Sequence, residues 1–142
     1  MRIQIPFRMN KVVNLSEASS LAIHAMVLIA KSDKQINVSQ IADLMGSSRN
    51  HLAKVMQRLV KEGFVKSLRG PSGGFTMQQK PEDITLLQIF ECIEGPIQPT
   101  GCPLDRQVCP FDKCLMGGIV TDTTIQIREY FQSHTLADML QH

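Results

Sequence analysis

No stretch of this 142-residue chain stays apolar for long: the longest run, Leu21 to Ala30, is interrupted by His24. A membrane-spanning helix needs roughly 20 such residues. Nothing resembles a secretory signal either, so the chain reads as cytoplasmic, in a compartment where thiols stay reduced. Catalytic arrangements are equally scarce. There is no nucleophile paired with a base and no pair of acids, and the glycine-rich GPSGG at 70–74 lacks the Lys and following helix of a phosphate loop. These gaps argue against an enzyme. Tryptophan is absent and aromatics make up 5% of the chain, while methionine occurs eight times, which suits a helical protein whose core is filled by flexible side chains. A hydrophobic content of 43% fits one compact domain with an extension better than two independent cores.

The most informative stretch is SSRNHLAKVMQRLVKEGFVKSLRGPSGGF, residues 47–75. Leu52, Val55, Met56, Leu59 and Val60 recur at helical spacing and form a face that must pack on something. The other face offers Ser48, Arg49, Asn50, His51, Lys54, Arg58 and Lys61, whose side chains bond phosphates and base edges. Between residues 47 and 69, six Lys or Arg stand against Glu62 alone, a net of +5 in a chain whose total is +2. One face of the molecule is therefore built to meet a polyanion.

The flanks turn this basic helix into a unit. Upstream, VSQIADLMG predicts a short helix capped by Ser39, with Ile41, Ala42, Leu44 and Met45 inward and Gly46 supplying a left-handed turn. Helix, glycine turn and longer basic helix make a helix-turn-helix. Downstream, Gly63 ends the long helix, Phe64–Leu68 has strand character and Phe75–Gln78 can return antiparallel to it. The RGPSGG between them predicts a flexible hairpin tip presenting Arg69, Ser72 and Gly73. Together these predict a mostly α, winged helix-turn-helix fold that binds double-stranded DNA; a merely basic three-helix module is the competing reading.

Residues 1–13 have no clear periodicity and Pro6 discourages a helix there, so they read as a loose arm or a non-native start. From Leu15, LSEASSLAIHAMVLIAK predicts a helix capped by Ser16, with Glu17 placed favourably at its positive end. Its second half is apolar nearly all round, so a partner subunit is its expected cover. His24, within it, is either a core histidine bonded to a carbonyl or a ligand. After the Lys80-Pro81 break, Thr85 caps a helix from Leu86 to Glu94 that ends at Gly95-Pro96 and buries Leu86, Leu87, Ile89, Phe90 and Ile93. Cys92 reads as ordinary packing. From Leu115 to Ser133 a long amphipathic helix, roughly 28 Å by rise per residue, exceeds what a small winged domain needs, and antiparallel pairing with its twin would bury the excess. TLAD at 135–138 reads as a capping box.

Three further cysteines, Cys102, Cys109 and Cys114, fall in the loop PIQPTGCPLDRQVCPFDKC. Thiolates gathered in one irregular loop can converge on a metal, and soft sulfur favours iron-sulfur clusters, zinc or copper(I). The fourth Cys or His close by that a zinc site usually shows is absent, which favours a cluster with one ligand from elsewhere. Zinc, a thiol redox switch or haem on a Cys-Pro pair are the other readings.

The combination of LAIHAMVLIA, the 39–75 segment, PEDITLLQIFECIEG, three loop cysteines and HTLADML resembles the Rrf2 family of bacterial transcription regulators. The resemblance runs from Leu15 to the end and is most specific in the RGPSGGF wing and the cysteine loop. It implies a homodimeric winged-helix regulator whose loop cysteines, matching Cys102, Cys109 and Cys114, hold an iron-sulfur cluster. Family members of this kind include regulators of cluster biogenesis, nitric oxide response, cysteine metabolism and redox state. The loop spacing differs from the biogenesis and nitric-oxide types, and Gly117 stands where the biogenesis type has a histidine. By the LAIHAM match, Ser20 occupies the place of a carboxylate and His24 that of a histidine ligand.

The resulting expectation has three parts: a winged DNA-binding domain at 15–95, a cluster-binding loop at 96–114, and a dimerisation helix with a terminal turn at 115–142. DNA contacts are expected from Ser39, Ser48, Arg49, Asn50, His51, Lys54, Arg58, Arg69, Ser72 and Gly73, and metal ligation from Cys102, Cys109, Cys114 and His24. Mixed His and Cys ligation favours a [2Fe-2S] over a [4Fe-4S] cluster. The dimer would act as a repressor on a pseudo-palindromic operator, with recognition helices in major grooves about 34 Å apart. A cluster-free regulator using thiols or a small molecule as its signal is the alternative.

Overall fold

The computed structural model describes residues 12–99 and 109–142. Their order is α1 (Glu17–Lys31), α2 (Val38–Met45), α3 (Arg49–Lys61), β1 (Val65–Leu68), β2 (Gly74–Met77), a 3-10 turn (Pro81–Asp83), α4 (Leu86–Glu94), α5 (Ile119–Ser133) and α6 (Leu136–Met139). Residues 1–11 and 100–108, and with them the expectation for Cys102, lie outside the described residues. Among the described residues, no helix is long and apolar enough to cross a membrane.

Helix starts are set by side-chain caps, since the first amide groups of a helix have no partner within it. Ser16 caps α1 by accepting the Ser19 N–H, as its sequence predicts. The cap of α2 is Asn37, not Ser39: Asn37 accepts from the Gln40 N–H at 2.9 Å while the Gln40 side chain accepts from the Asn37 N–H at 3.0 Å. An Asn followed three residues later by Gln completes a capping box that Ser39 cannot, and Ser39 sits half-buried inside the first turn. Thr85 with Gln88 and Thr135 with Asp138 form further boxes. Gly46 closes α2 at φ 61°, a left-handed conformation suited to glycine.

The apolar stripes of α1, α3 and α4 meet in one core. Leu52, Val55, Met56 and Leu59 of α3 face Ala22, Ala25, Met26 and Ile29 of α1 and Leu86, Leu87, Ile89 and Ile93 of α4. Helix α2 buries Ile41 and Ala42 and packs Val38 and Met45, half-buried, against the core; Leu44, expected inside, is 68% exposed. An eight-residue helix turns through little more than two turns, so its inward face accommodates fewer positions than its apolar residues number.

The wing is a two-stranded antiparallel sheet pairing Val65 with Met77 and Leu68 with Gly74. A third segment, missed in the sequence, joins it: Ile36 bridges Phe75, with N–H···O distances of 3.3 and 2.9 Å in the two directions. This contact explains Gly74, where an added Cβ would lie 2.8 Å from the Ile36 carbonyl. One added at Gly73 would lie 2.3 Å from the Leu68 oxygen. The two glycines are thus required by close backbone approach, where the sequence pointed to flexibility. The tip folds on itself through a Gly73 N–H to Gly70 oxygen bond of 2.9 Å.

The chain end returns to the winged domain. Thr85 bridges Thr135, the Leu86 N–H bonds the His134 oxygen at 3.0 Å, and the Leu136 N–H bonds the Ile84 oxygen at 2.7 Å. Leu136 is fully buried. Helix α5 is shorter than expected. It starts at Ile119 because Gly117 and Gly118 are both left-handed, at φ 62° and 77°, which breaks the helical path from Leu115. It packs on α4, with the Phe90 and Phe131 rings 5.5 Å apart, and buries Phe131 alone.

Candidate functional site

Helix α3 presents two opposed lines. With about 100° between successive residues, Leu52, Val55, Met56 and Leu59 form the buried line, and Asn50, Lys54, Gln57 and Lys61 form the exposed one. Lys61 was expected on this polar face though not in the contact set, and Gln57 was in neither, although a helical wheel places both opposite the core. Arg49, Ser48 and Asn50 are exposed at the start of the helix, and His51 is half-buried beside them. Arg69 and Ser72 are exposed on the wing, with Gly73 half-buried behind.

Several of these side chains have intramolecular partners. Ser48 caps α3 by accepting the His51 N–H at 3.4 Å. The Arg49 guanidinium lies 3.8 Å from the Asp43 carboxylate of α2. Both groups are exposed, and such a pair contributes at most about 1 kcal/mol, so Arg49 can leave it for a stronger acceptor. His51 stands 3.9 Å from Glu17 of α1. Arg58 differs most from expectation. Its Nη1 donates to the Ile93 carbonyl at 2.7 Å, holding α3 to the last turn of α4, where the helix dipole favours a cation. A phosphate would have to displace that bond. His51, Lys54, Gln57, Arg58 and Lys61 with Ala18 and Ile93 line a groove of about 510 Å³ along the helix.

The candidate ligands lie elsewhere. His24 is exposed, which removes its core reading, and its Nδ1 sits 2.6 Å from the Ser20 carbonyl. A backbone carbonyl there fixes the ring with Nδ1 protonated and leaves Nε2 as a lone-pair donor. Cys109 and Cys114 are free and exposed. Backbone amides after Cys114, that of Gly118 foremost and then that of Met116, lower its thiol pKa, and the Gly117 N–H is itself bonded to the Cys114 carbonyl at 3.1 Å. Cys92 is the opposite case: burial foremost and then Glu62 raise its pKa, with Arg58 partly opposing. Among the described residues, no three His, Cys, Asp or Glu groups are close enough to hold a metal ion. The structure therefore does not bring His24 together with Cys109 and Cys114 within one chain.

Comparison with known proteins gives a consistent pattern. A family model described as "Rrf2: Iron-dependent Transcriptional regulator" matches residues 15–142. A putative HTH-type transcriptional regulator of Aquifex aeolicus is 30% identical over 88% of this chain and 90% of its own. The putative regulator BadM of Rhodopseudomonas palustris is 36% identical over 58% of this chain, and the match spans about half (53%) of BadM. Among solved structures, T. potens IscR superposes with a TM-score of 0.69 at 26% identity, covering 92% of this chain and 88% of its own. CymR of B. subtilis, described as the global cysteine regulator, superposes with a TM-score of 0.75 at 24% identity over 91% and 97%. This last likeness bears on the fold.

Proposed function

The chain belongs to the Rrf2 family of transcription regulators and is a DNA-binding protein rather than an enzyme, and from that premise we propose that its operator affinity is switched by an iron-sulfur cluster held between two copies of the chain. The observation that supports this reading is the exposure of His24, Cys109 and Cys114, which leaves all three available to a group shared between two chains. Cys102, Cys109 and Cys114 would be the thiolate ligands. His24, with Nδ1 tied to Ser20 and Nε2 free, would supply a nitrogen from the partner subunit. A bound cluster supplies an electron-transfer or nitric-oxide-reactive centre, and His ligation favours the [2Fe-2S] type.

The chain's own residues do the rest. N–H donors to a ligating sulfur stabilise its negative charge and raise the potential at which it accepts an electron. Helix α1 carries both His24 and the Glu17 carboxylate beside His51 of α3, so it spans from the candidate ligand to the DNA-facing helix. Helix α4 holds α3 through Arg58. Movement of either helix changes the presentation of Arg49, Asn50 and Lys54. A coupling of about 1–3 kcal/mol between the two sites would change operator affinity roughly 5- to 150-fold. We assign base contacts to Arg49, Asn50 and Ser48, and backbone contacts to Lys54, Arg69, Ser72 and Gly73, with Ser39 and His51 at the edge of the surface. Dimerisation would proceed through the exposed apolar face of α5, and repression by occupation of a pseudo-palindromic operator.

The test is anaerobic purification with iron, sulfide and absorbance measurements on the wild type and on single Cys→Ala variants. Iron and sulfide lost on substituting Cys102, Cys109 or Cys114, and kept on substituting Cys92, is the expected result. Stoichiometric zinc without sulfide ends the cluster reading. Metal-free protein whose DNA binding responds to thiol oxidation supports the second reading, a cluster-free thiol switch, which the exposed, acidified Cys114 also favours.

A further inference from the structure

The exposed line of α3, opposite the core, carries two carboxamides, Asn50 and Gln57, together with Lys54 and Lys61. The carboxamides are seven residues apart, two helical turns, so Gln57 lies almost directly above Asn50 at about 10.5 Å along the axis. Four other amides of the winged domain have local partners: Asn37 and Gln40 cap α2, Gln79 donates to the Gly63 carbonyl and Gln88 caps α4, while Gln35 and Gln78 lie off α3. Asn50 and Gln57 make no side-chain hydrogen bond among the described residues, and the line they share also carries Lys54 and Lys61, with Arg49 exposed beside Asn50 at the helix start.

When a helix enters the major groove, its most protruding line goes deepest and meets base edges, while side chains on its flanks reach the phosphate walls. A carboxamide offers one donor and one acceptor on adjacent atoms. That pair matches N7 and the N6 amino group of adenine, whereas the two acceptors of guanine suit Arg or Lys. With base pairs spaced about 3.4 Å along the duplex, a separation of about 10.5 Å corresponds to roughly three base-pair steps.

We propose that Asn50 and Gln57 each read one adenine, so that every operator half-site carries two A·T pairs about three base pairs apart, with Gln57 as a specificity-determining residue. The proposal rests on the DNA-binding reading of α3 and extends it to the bases recognised. The other two residues of the line are lysines, whose long stems let the ammonium groups reach past the base edges to phosphates: Lys54 beside the two carboxamides, and Lys61 at the end of α3 where the helix leaves the groove.

Selection from a randomised duplex library tests this with the full-length protein at fixed salt. Wild type is expected to enrich half-sites with two adenines, on either strand, about three base pairs apart. Asn50→Ala and Gln57→Ala should each erase the preference at one of the two positions and weaken binding to the selected site about 5- to 150-fold, the worth of one bidentate contact. Gln57→Glu should move the preference at its position from adenine towards cytosine, whose N4 amino group donates to a carboxylate. A residue with a merely structural role would not produce that change. If wild type selects a clear half-site and Gln57→Ala keeps every preference, the adenine assignment is overturned while DNA binding by α3 stands. If wild type selects no sequence at all and Lys54→Ala leaves binding unchanged, both fall.

Discussion

The two described regions, 12–99 and 109–142, use apolar residues in opposite ways. In the first, α1, α3 and α4 turn nearly every stripe residue into a shared core, and the exposed line of α3 is polar throughout. In the second, α5 buries Phe131 alone, while Ile119 is 60% exposed and Leu115 and Met116, just before it, are exposed too. The first region closes on itself and leaves its chemistry outside. The second keeps apolar surface on the outside, which in a water-exposed helix marks a surface awaiting a partner.

The sharpest way to break this comparison is a core truncation in each region. Leu59→Ala should destabilise the fold by about 2–5 kcal/mol, because Leu59 is fully buried among three helices. Ile119→Ala should cost under about 0.5 kcal/mol in the fold of the single chain. Denaturant midpoints measured at low protein concentration check both; equal losses would mean that α5 is as self-sufficient as α3. The complementary substitution is Ile119→Asp, expected to weaken self-association at least tenfold, about 1.4 kcal/mol. Sedimentation over a concentration series reads it directly.

Within the first region, Arg58 and Lys54 lie one turn apart on the same helix and test how far position predicts role. Arg58→Ala should cost about 1 kcal/mol of stability through its lost bond to Ile93 and change the salt dependence of DNA binding little. Lys54→Ala should leave the melting temperature nearly unchanged and flatten the salt slope by about one unit. A flattened slope from Arg58→Ala would show that the guanidinium leaves Ile93 for a phosphate.

How legible these roles were follows from the same contrast. Helical spacing at Leu52–Leu59 and Leu86–Ile93, and the caps Ser16, Thr85 and Thr135, could be read directly because each depends on residues within one turn. The Asn37 cap was legible too, had Asn37-x-x-Gln40 been weighed against Ser39. Two features were hidden because they join distant segments: the Ile36–Phe75 bridge and the Arg58–Ile93 bond. His24 was undecidable from sequence, since an apolar neighbourhood in the chain does not say which side of the helix faces the core. The start of α5 was misplaced because Gly117-Gly118 reads as tolerable within a helix until both adopt positive φ.

The smallest expected effect compares two thiols. In freshly reduced, metal-free protein, Cys114 should be alkylated about tenfold faster than Cys92 near neutral pH, since the thiolate is the reactive form. Backbone amides beside Cys114, that of Gly118 foremost, lower its pKa, so its reactivity persists as pH falls below the ordinary thiol range. Burial raises that of Cys92, whose reactivity appears only as pH rises above it. Mass spectrometry of alkylated peptides across pH 6 to 10 follows the two separately, and identical profiles would show that the backbone amides beside Cys114 do not stabilise its thiolate.

The bridge between Thr85 and Thr135 has a topological consequence. It makes everything between them a ring, with α4 and α5 as its two arms and the cysteine-bearing arc joining their far ends. A ring of chain has fewer conformations than a free tail of the same length, so fixing the arc starts from an entropy already reduced. It also has no loose end to slip. One of those arms, α4, also carries the Ile93 carbonyl that grips Arg58, so the closed circuit of chain is fastened to the DNA-facing helix at a second point.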